Sequence, residues 1–239
     1  MRHCRLLPLI VAASLMGGCT QGTKSASDVG GPTVAFKAAR LIVETNATDG
    51  DAGLQLFLDH EPWRTVALFR PDGSKILEVN TLSVLKNYGL TELFTESSEP
   101  PFDKFPLAKF KELFPAGRYR LTGTTIEGDK LQTIVTLTHD FPAGPKITAP
   151  VDGSTVARED LVVRWEAVAT PPGIEIVGYQ VLVTREEPLR VFSADMPASA
   201  TSLRIPVEFL EAGVEYKSEV LAIGADKNQT LTEVTFKIS

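Results

Sequence analysis

The densest group of side chains that could bind a ligand in this 239-residue sequence lies in the segment ETNATDGDAG. The oxygen-bearing side chains are Glu44, Asn46, Asp49 and Asp51, and Asp59 follows near the end of the next predicted strand. Calcium is bound by about six to eight oxygen atoms from carboxylates, amides, main-chain carbonyls and water. The five side chains are therefore a candidate calcium site.

The same segment also has the composition of a surface turn, because Asn, Asp and Gly are favoured in tight turns. Gly50 and Gly53 would let the backbone direct its carbonyls inward toward an ion. The spacing differs from an EF-hand loop, since Asp51 stands where that loop requires glycine and no glutamate closes it. A cation site and a solvated loop both remain open.

A second acidic run, TELFTESSEPPFD, occupies residues 91–103. Its spacing would place Glu92 and Glu96 on one face of a helical turn, where like charges repel unless a cation lies between them. The run also contains Glu99 and Asp103. It is interpreted as a solvated loop or as a loop that faces a partner.

The sequence carries few of the residues that catalysis requires. His60 and His139 are the histidines outside the first nineteen residues, and the only cysteines are Cys4 and Cys19. A Cys/His zinc site and a thiol nucleophile are therefore not expected, and no G-x-S-x-G, H-E-x-x-H or P-loop motif occurs. A glycosidase needs only two carboxylates, but small linked sandwiches predict no deep cleft. The chain is predicted not to be an enzyme.

The first nineteen residues read MRHCRLLPLIVAASLMGGC, with two early arginines, an apolar run and two glycines before Cys19. The apolar run is too short to span a bilayer and suits a signal peptide. The segment resembles a bacterial lipoprotein signal with its lipobox. That resemblance implies cleavage after residue 18, diacylation of Cys19 and anchoring in the membrane through lipid. Thr20 after the cysteine favours the outer membrane.

Residues 19–32 are predicted to be the lipidated cysteine and a flexible tether, with a random-coil span of roughly 20 Å. The chain has 24 basic and 30 acidic side chains, a net charge of −6. Loss of Arg2 and Arg5 with the signal would make it still more acidic. An acidic body argues against nucleic acid as a partner.

A proline-rich stretch, HDFPAGPKITAP, predicts a domain boundary near Gly144. Residues 144–239 then contain short, alternating, Val- and Thr-rich runs that are typical of an antiparallel sandwich. Trp165, Tyr179 and the pattern Leu210-x-x-Gly213-x-x-Tyr216 resemble a fibronectin type III domain with its tyrosine corner. The resemblance implies an immunoglobulin-like sandwich, with Trp165 between the sheets and the Tyr216 hydroxyl bonded to nearby backbone.

Residues 33–143 are also rich in strand-forming segments and predict an all-β chain. The turn residues at 71–73 and 127–129 predict two hairpins, and residues 106–114 have the periodicity of a short amphipathic helix. We interpret this domain as a β-sandwich or jelly roll with a helical insertion. The run 51–73 resembles the strands of bacterial pre-peptidase and proprotein-convertase-type jelly rolls.

These observations favour a lipid-anchored envelope protein that binds a protein or polysaccharide without catalysing a reaction. The alternative is a calcium-supported carbohydrate-binding or enzyme-accessory module. Such modules present flat aromatic side chains on one sheet face. The candidates in the N-terminal domain are Trp63, Tyr88 and Tyr119.

Overall fold

The computed structural model describes residues 33–169 and 173–239. The predicted signal segment, Cys19 and the tether lie outside these residues. The described residues are mainly β-strand, which confirms the all-β class. Within them, no helix is both long and apolar enough to cross a membrane.

The N-terminal domain is built around one long strand. Its elements are β1 (Thr33–Val34), β2 (Ala38–Asn46), β3 (Asp51–Phe69), β4 (Lys75–Asn80), α1 (Leu85–Tyr88), β5 (Leu90–Glu96), α2 (Leu107–Leu113), β6 (Gly117–Thr125) and β7 (Lys130–Leu137). The two strands predicted at 54–60 and 63–70 are a single 19-residue strand, β3. Its first half pairs with β2 and β5, and its second half pairs with β4 and β6. It therefore contributes to both layers of the domain, one containing β2 and β5 and the other containing β4 and β6.

The core of the N-terminal domain lies between these layers. Its fully enclosed side chains include Val43, Leu58, Trp63, Tyr119 and Leu121. The predicted helix is confirmed as α2, which buries Phe110 in this core and packs Leu107 against it. Both predicted hairpins are confirmed as well, since β3 pairs with β4 and β6 pairs with β7 in antiparallel register.

The predicted helical turn in the second acidic run is wrong. Residues 90–96 form β5, whose Phe94 lies opposite Phe57 and whose Glu96 lies opposite Gln55 on β3. Pairing with β3 satisfies the backbone hydrogen bonds of this segment. It also removes the like-charge contact between Glu92 and Glu96, because residues four apart on a strand are about 13 Å apart.

The C-terminal domain has two sheets. Its strands are β8 (Ile147–Ala149), β9 (Ser154–Val156), β10 (Val162–Trp165), β11 (Ile176–Arg185), β12 (Arg190–Pro197), β13 (Ser202–Arg204), β14 (Glu215–Gly224) and β15 (Gln229–Ile238). One sheet has the order β13-β10-β8, and the other runs β15-β14-β11-β12. Strand β9 adds to β15 in parallel. The two sheets enclose a separate core.

The expected roles of two aromatic residues in this domain are confirmed. Trp165 is 3% exposed, and its ring centroid lies 5.4 Å from that of Tyr179 between the sheets. The Tyr216 hydroxyl accepts a hydrogen bond from the Glu211 amide at 2.9 Å and donates to the Phe209 carbonyl at 3.4 Å. This closed loop is the tyrosine corner that the sequence pattern predicts.

The two domains share a sheet, which the sequence does not predict. Residues Gln229–Leu231 of β15 pair in parallel with Glu44–Asn46 of β2. The sheet therefore continues from the N-terminal domain through β2 and β15 into β14, β11 and β12. Both hydrophobic cores draw on alternate residues of these strands, such as Val43 and Val220. The intervening residues form one surface that extends across both domains.

Asn228 stabilises this junction through side-chain hydrogen bonds. It is 1% exposed, and its side-chain oxygen accepts a hydrogen bond from the Val43 amide at 2.8 Å. Its side-chain nitrogen donates to the Thr138 hydroxyl and to Asp226, both at 2.9 Å. Nearby, Thr230 donates to the Pro142 carbonyl at 2.7 Å. The junction thus ties β2, the interdomain segment and the turn before β15 together.

A groove between the two domains

The surface that extends across both domains bends into a groove with a volume of about 420 Å³. One wall is formed by β2, β3 and β5 of the N-terminal domain. The other is formed by β11, β12, β14 and β15 of the C-terminal domain. Most of the lining residues point away from the two cores, because side chains alternate between the faces of a strand.

The floor of the groove is apolar. Leu182, Leu221 and Leu231 pack together as a small hydrophobic cluster that is separate from both domain cores. Phe57 and Phe94, which lie opposite each other on β3 and β5, line the N-terminal wall. The Arg40 guanidinium lies 4.9 Å from the centre of the Phe57 ring, which is a cation–π distance.

Carboxylates outnumber cations around this floor. The lining contains five acidic residues, Glu44, Glu96, Glu186, Asp195 and Glu219, and three basic residues, Arg40, Lys217 and Lys227. The groove therefore favours a ligand that carries positive charge.

Glutamine side chains orient three of the carboxylates. Gln55 donates to Glu96 at 2.9 Å, and Gln180 donates to Asp195 at 3.1 Å. Gln229 donates in the same way to Glu44 across the domain junction. Since each amide is used by a carboxylate from a neighbouring strand, the acidic groups are fixed in position.

Glu44, Glu96 and Glu99 form the closest acidic group. A carboxylate oxygen from each lies within 4.8 Å of the others, and Glu44 is buried. Glu99 lies over Gly53, where an added Cβ would come within 2.5 Å of the Glu99 carboxylate. Gly53 therefore leaves the space that the Glu99 side chain occupies, and it does not supply the curled backbone that the sequence suggested.

The segment after β5 brings Glu99 to this position by crossing the β2–β3 hairpin. The Ser97 amide donates to the Leu54 carbonyl at 2.9 Å, and the Phe102 amide donates to the Gly50 carbonyl at 2.7 Å. The two acidic runs of the sequence thus converge on one site.

The structure does not bring the five predicted calcium ligands together. The Asn46 side chain accepts hydrogen bonds from the Thr48 and Asp49 amides at 2.9 and 3.1 Å, and it donates to the Asp49 carboxylate. These two residues therefore close the hairpin turn. Asp51 is buried opposite Asn46 at the start of β3.

Asp59 is also separated from the cluster. It lies opposite Ala38 at the other end of the hairpin, about 26 Å of strand from Asp51. The structure therefore does not place Asp59 beside the other four residues, because β3 continues as a strand where a loop was expected. Glu96 and Glu99 occupy the position beside Glu44 instead.

Lys217 forms a second charged group on the C-terminal wall. Its ammonium lies 2.9 Å from the Glu219 carboxylate and 3.4 Å from that of Glu233. Burial lowers the pKa of Lys217, but the two carboxylates outweigh this and raise the pKa above its usual value. Lys217 thus stays charged and is already paired within the protein.

The two histidines have structural contacts in the described part of the chain. His60 is buried, and its ring packs edge-on against Phe36. His139 donates from Nε2 to the Phe114 carbonyl at 2.8 Å and so holds the end of α2. Neither ring points into the groove lining. These positions do not create a nucleophile–base pair with the groove residues.

The aromatic residues weighed for sugar binding do not form a platform. Trp63 and Tyr119 are 0% exposed, and burial raises the pKa of Tyr119 to about 12. Tyr88 is 82% exposed but lies on α1, outside the groove.

Comparison with known proteins finds similar solved structures of low sequence identity. No protein-family model and no curated protein matches the sequence. Among solved structures, a two-domain fibronectin type III segment of chicken tenascin is similar with 14% identity and a TM-score of 0.31. The match covers 83% of this chain and 98% of that segment.

A second similar structure comprises domains FN1–FN3 of chicken CNTN1, with 11% identity and a TM-score of 0.31. The match covers 87% of this chain and 66% of that one. The described strand order and the tyrosine corner carry the fibronectin type III-like assignment of the C-terminal domain. The resemblance of residues 51–73 to pre-peptidase jelly rolls stays a prediction.

Proposed function

We propose that this chain is a non-enzymatic binding module of a bacterial envelope, and that its ligand lies in the groove between the two domains. The observation that supports this most is the apolar floor with an acidic rim on one continuous sheet surface. Binding pockets combine apolar walls with a few fixed polar groups in the same way.

The groove chemistry favours a protein segment over a polysaccharide. Leucine and phenylalanine side chains offer apolar contact area, while the groove offers no stacked Trp or Tyr platform for sugar rings. The carboxylates of Glu44, Glu96 and Glu99 suit a lysine or arginine of the ligand. The proposed ligand is therefore an extended peptide segment with an apolar residue beside a basic one.

An array of short peptides that alternate leucine with lysine or arginine would test this proposal. We expect binding that strengthens at low salt, because salt screens the attraction between a cationic ligand and carboxylates in a groove that is open to solvent. Glu96→Lys should weaken binding of the best peptide by about tenfold, since replacing attraction by repulsion at one such contact is worth roughly 1.4 kcal/mol. Isothermal titration calorimetry measures this change.

The matched control is Glu78→Lys, which makes the same charge change on the exposed β4 strand, away from the groove. Peptides in which glutamate replaces the basic residues should not bind. Equal weakening by the two variants would mean that net charge, and not the groove, governs binding.

Calcium remains the alternative ligand of the same carboxylates, in support of a carbohydrate-binding or enzyme-accessory role. The specific observation in its favour is the close approach of Glu44, Glu96 and Glu99. A cation at one hundred times its dissociation constant would stabilise the fold by about 2.7 kcal/mol. A melting temperature that rises with millimolar calcium, and no longer rises in Glu96→Gln, would favour this alternative. The peptides should then show no binding in the titrations above.

The proposed location is the outer membrane, with the chain held by lipid on Cys19. The sequence of the first nineteen residues supports this part of the proposal. Several acyl chains give stable anchoring where one gives marginal binding.

Substitution of Cys19 by alanine should therefore remove the protein from the membrane fraction or leave it unprocessed. Fractionation followed by mass measurement of the mature N-terminus reports both results. A Cys19→Ala protein that is processed and fractionates like the wild type would contradict lipid anchoring. Cys4→Ala is the matched control, because Cys4 lies inside the predicted signal segment.

A further inference from the structure

An exposed apolar tip projects from the N-terminal domain and takes no part in the groove. We define the tip as residues 82–88, all of which are exposed between the buried Thr81 and Gly89. Leu82 is 75% exposed, Val84 79% and Tyr88 82%. Apolar side chains clustered in this way on a surface mark a site of contact with another protein or a membrane.

The tip is held in a defined conformation. The Tyr88 amide donates to the Val84 carbonyl at 3.3 Å, and the Gly89 amide donates to the Leu85 carbonyl at 2.7 Å. Arg64 donates from Nε to the Lys86 carbonyl at 3.0 Å and also bonds the Ile126 carbonyl. The apolar side chains therefore project from a helical turn that is braced against the neighbouring hairpin.

Strand pairing places the tip at the end of the domain where the described chain begins. A single row of paired residues crosses the sheet at this end: Thr33, Lys130, Thr124, Thr65 and Asn80. The row spans four strand spacings, or about 19 Å. The tip begins two residues after Asn80, so it lies on the same edge of the domain as Thr33.

The groove lies toward the other end of the domain. Trp63 pairs with Leu90, next to the tip, whereas Gln55 lines the groove. The two residues are separated by about 26 Å along β3. A surface that contacts the tip would therefore leave the groove accessible.

We propose that the tip inserts its apolar side chains into the lipid surface to which the chain is anchored. This inference rests on the proposed anchoring at Cys19. Thirteen residues separate Cys19 from Thr33. A chain of this length reaches at most about 50 Å and has a random-coil span of roughly 20 Å. Lipid on Cys19 would therefore keep the Thr33 end, and the tip beside it, close to the membrane.

The chemistry of the tip suits the interfacial region of a bilayer. Leu82 and Val84 provide apolar area, Tyr88 has the amphipathic ring that is enriched at this depth, and Lys86 provides a cation for lipid phosphates. With the tip inserted, the second domain and the groove would point away from the membrane.

The test uses a chain that begins at Thr20 and carries an N-terminal hexahistidine tag in place of Cys19. All described strands and both cores lie within residues 33–239, so this chain keeps every packed element. It is tethered to vesicles of phosphatidylethanolamine, phosphatidylglycerol and a nickel-chelating lipid. This tether replaces the lipid anchor, so the result does not depend on whether Cys19 is acylated.

The chain from Thr20 lacks cysteine, so Val84→Cys gives a single position for an NBD fluorophore. We expect the emission of this label to shift to shorter wavelength on tethering and to be quenched by doxyl-labelled lipids. Val151→Cys is the matched control, since Val151 is 68% exposed on a turn of the C-terminal domain. Its label should show neither change.

Three outcomes would overturn the proposal. A label at position 84 that is quenched no more than the label at 151 would show that the tip stays out of the lipid. A blue shift without lipid quenching would indicate contact between protein copies instead. The labelled Val84→Cys chain is also prepared with Leu82→Ser and Tyr88→Ser, and its quenching should fall to the control level. Unchanged quenching would mean that the dye itself enters the lipid, without help from the side chains of the tip. Failure of anchoring itself is read separately, from the Cys19→Ala fractionation.

Discussion

Replacing Asn228 by alanine is expected to lower the free energy of unfolding by about 3 kcal/mol. The substitution deletes a buried amide that bonds Val43, Thr138 and Asp226 at once. It leaves the buried Val43 amide without its partner, which costs roughly 1–3 kcal/mol. It also removes one hydrogen bond each from Thr138 and Asp226, which still bond each other. Because the partners come from both domains and from the segment between them, the loss should also loosen the domain junction.

Chemical denaturation monitored by tryptophan fluorescence measures both effects. Trp63 and Trp165 report on one domain each, so a loosened junction should separate their transitions in single-tryptophan variants. Asn87→Ala is the matched control, because Asn87 is exposed on the tip. Asn228→Ala unfolding at the same denaturant concentration as Asn87→Ala would disprove the role assigned to this residue.

Trp63→Ala is expected to destabilise the N-terminal domain by about 3–5 kcal/mol, the range for removing a large buried aromatic side chain. Trp63 is 0% exposed and lies where β3 passes from its pairing with β5 to its pairing with β6. The substitution therefore leaves a cavity at the position where the two layers meet. Differential scanning calorimetry should show a lower melting temperature.

Tyr88→Ala provides the contrast, since it removes an exposed aromatic side chain from the same domain. Surface substitutions of this kind usually change stability by less than about 0.5 kcal/mol. If Trp63→Ala left the melting temperature unchanged and weakened sugar binding, the carbohydrate interpretation would regain support.

The C-terminal fold could be predicted from sequence because its signals are local. Alternation of apolar residues marks the strands, and Leu210, Gly213 and Tyr216 fall within one turn and strand start. The same holds for the helix at 107–113 and for the turns at 71–73 and 127–129, where Gly, Pro and Asp determine the backbone.

The candidate site could be predicted only in part, because it depends on contacts between distant residues. Glu44 was expected to bind a ligand, and the structure places it in the groove. Its neighbours Glu96 and Glu99 reach it through the pairing of β5 with β3. Strand β5 was not predicted from the sequence, because its acidic side chains interrupt the usual apolar pattern and allow a helical interpretation.

The pairing of β2 with β15 also has a consequence for the order of folding. Glu44 and Gln229 are separated by 185 residues, and pairing over such a separation is among the slowest steps of β-protein folding. The N-terminal sandwich can complete its own core before the last strand is available, but the groove cannot exist until β15 has docked. During synthesis, the groove would therefore form last, after nearly the whole chain has emerged.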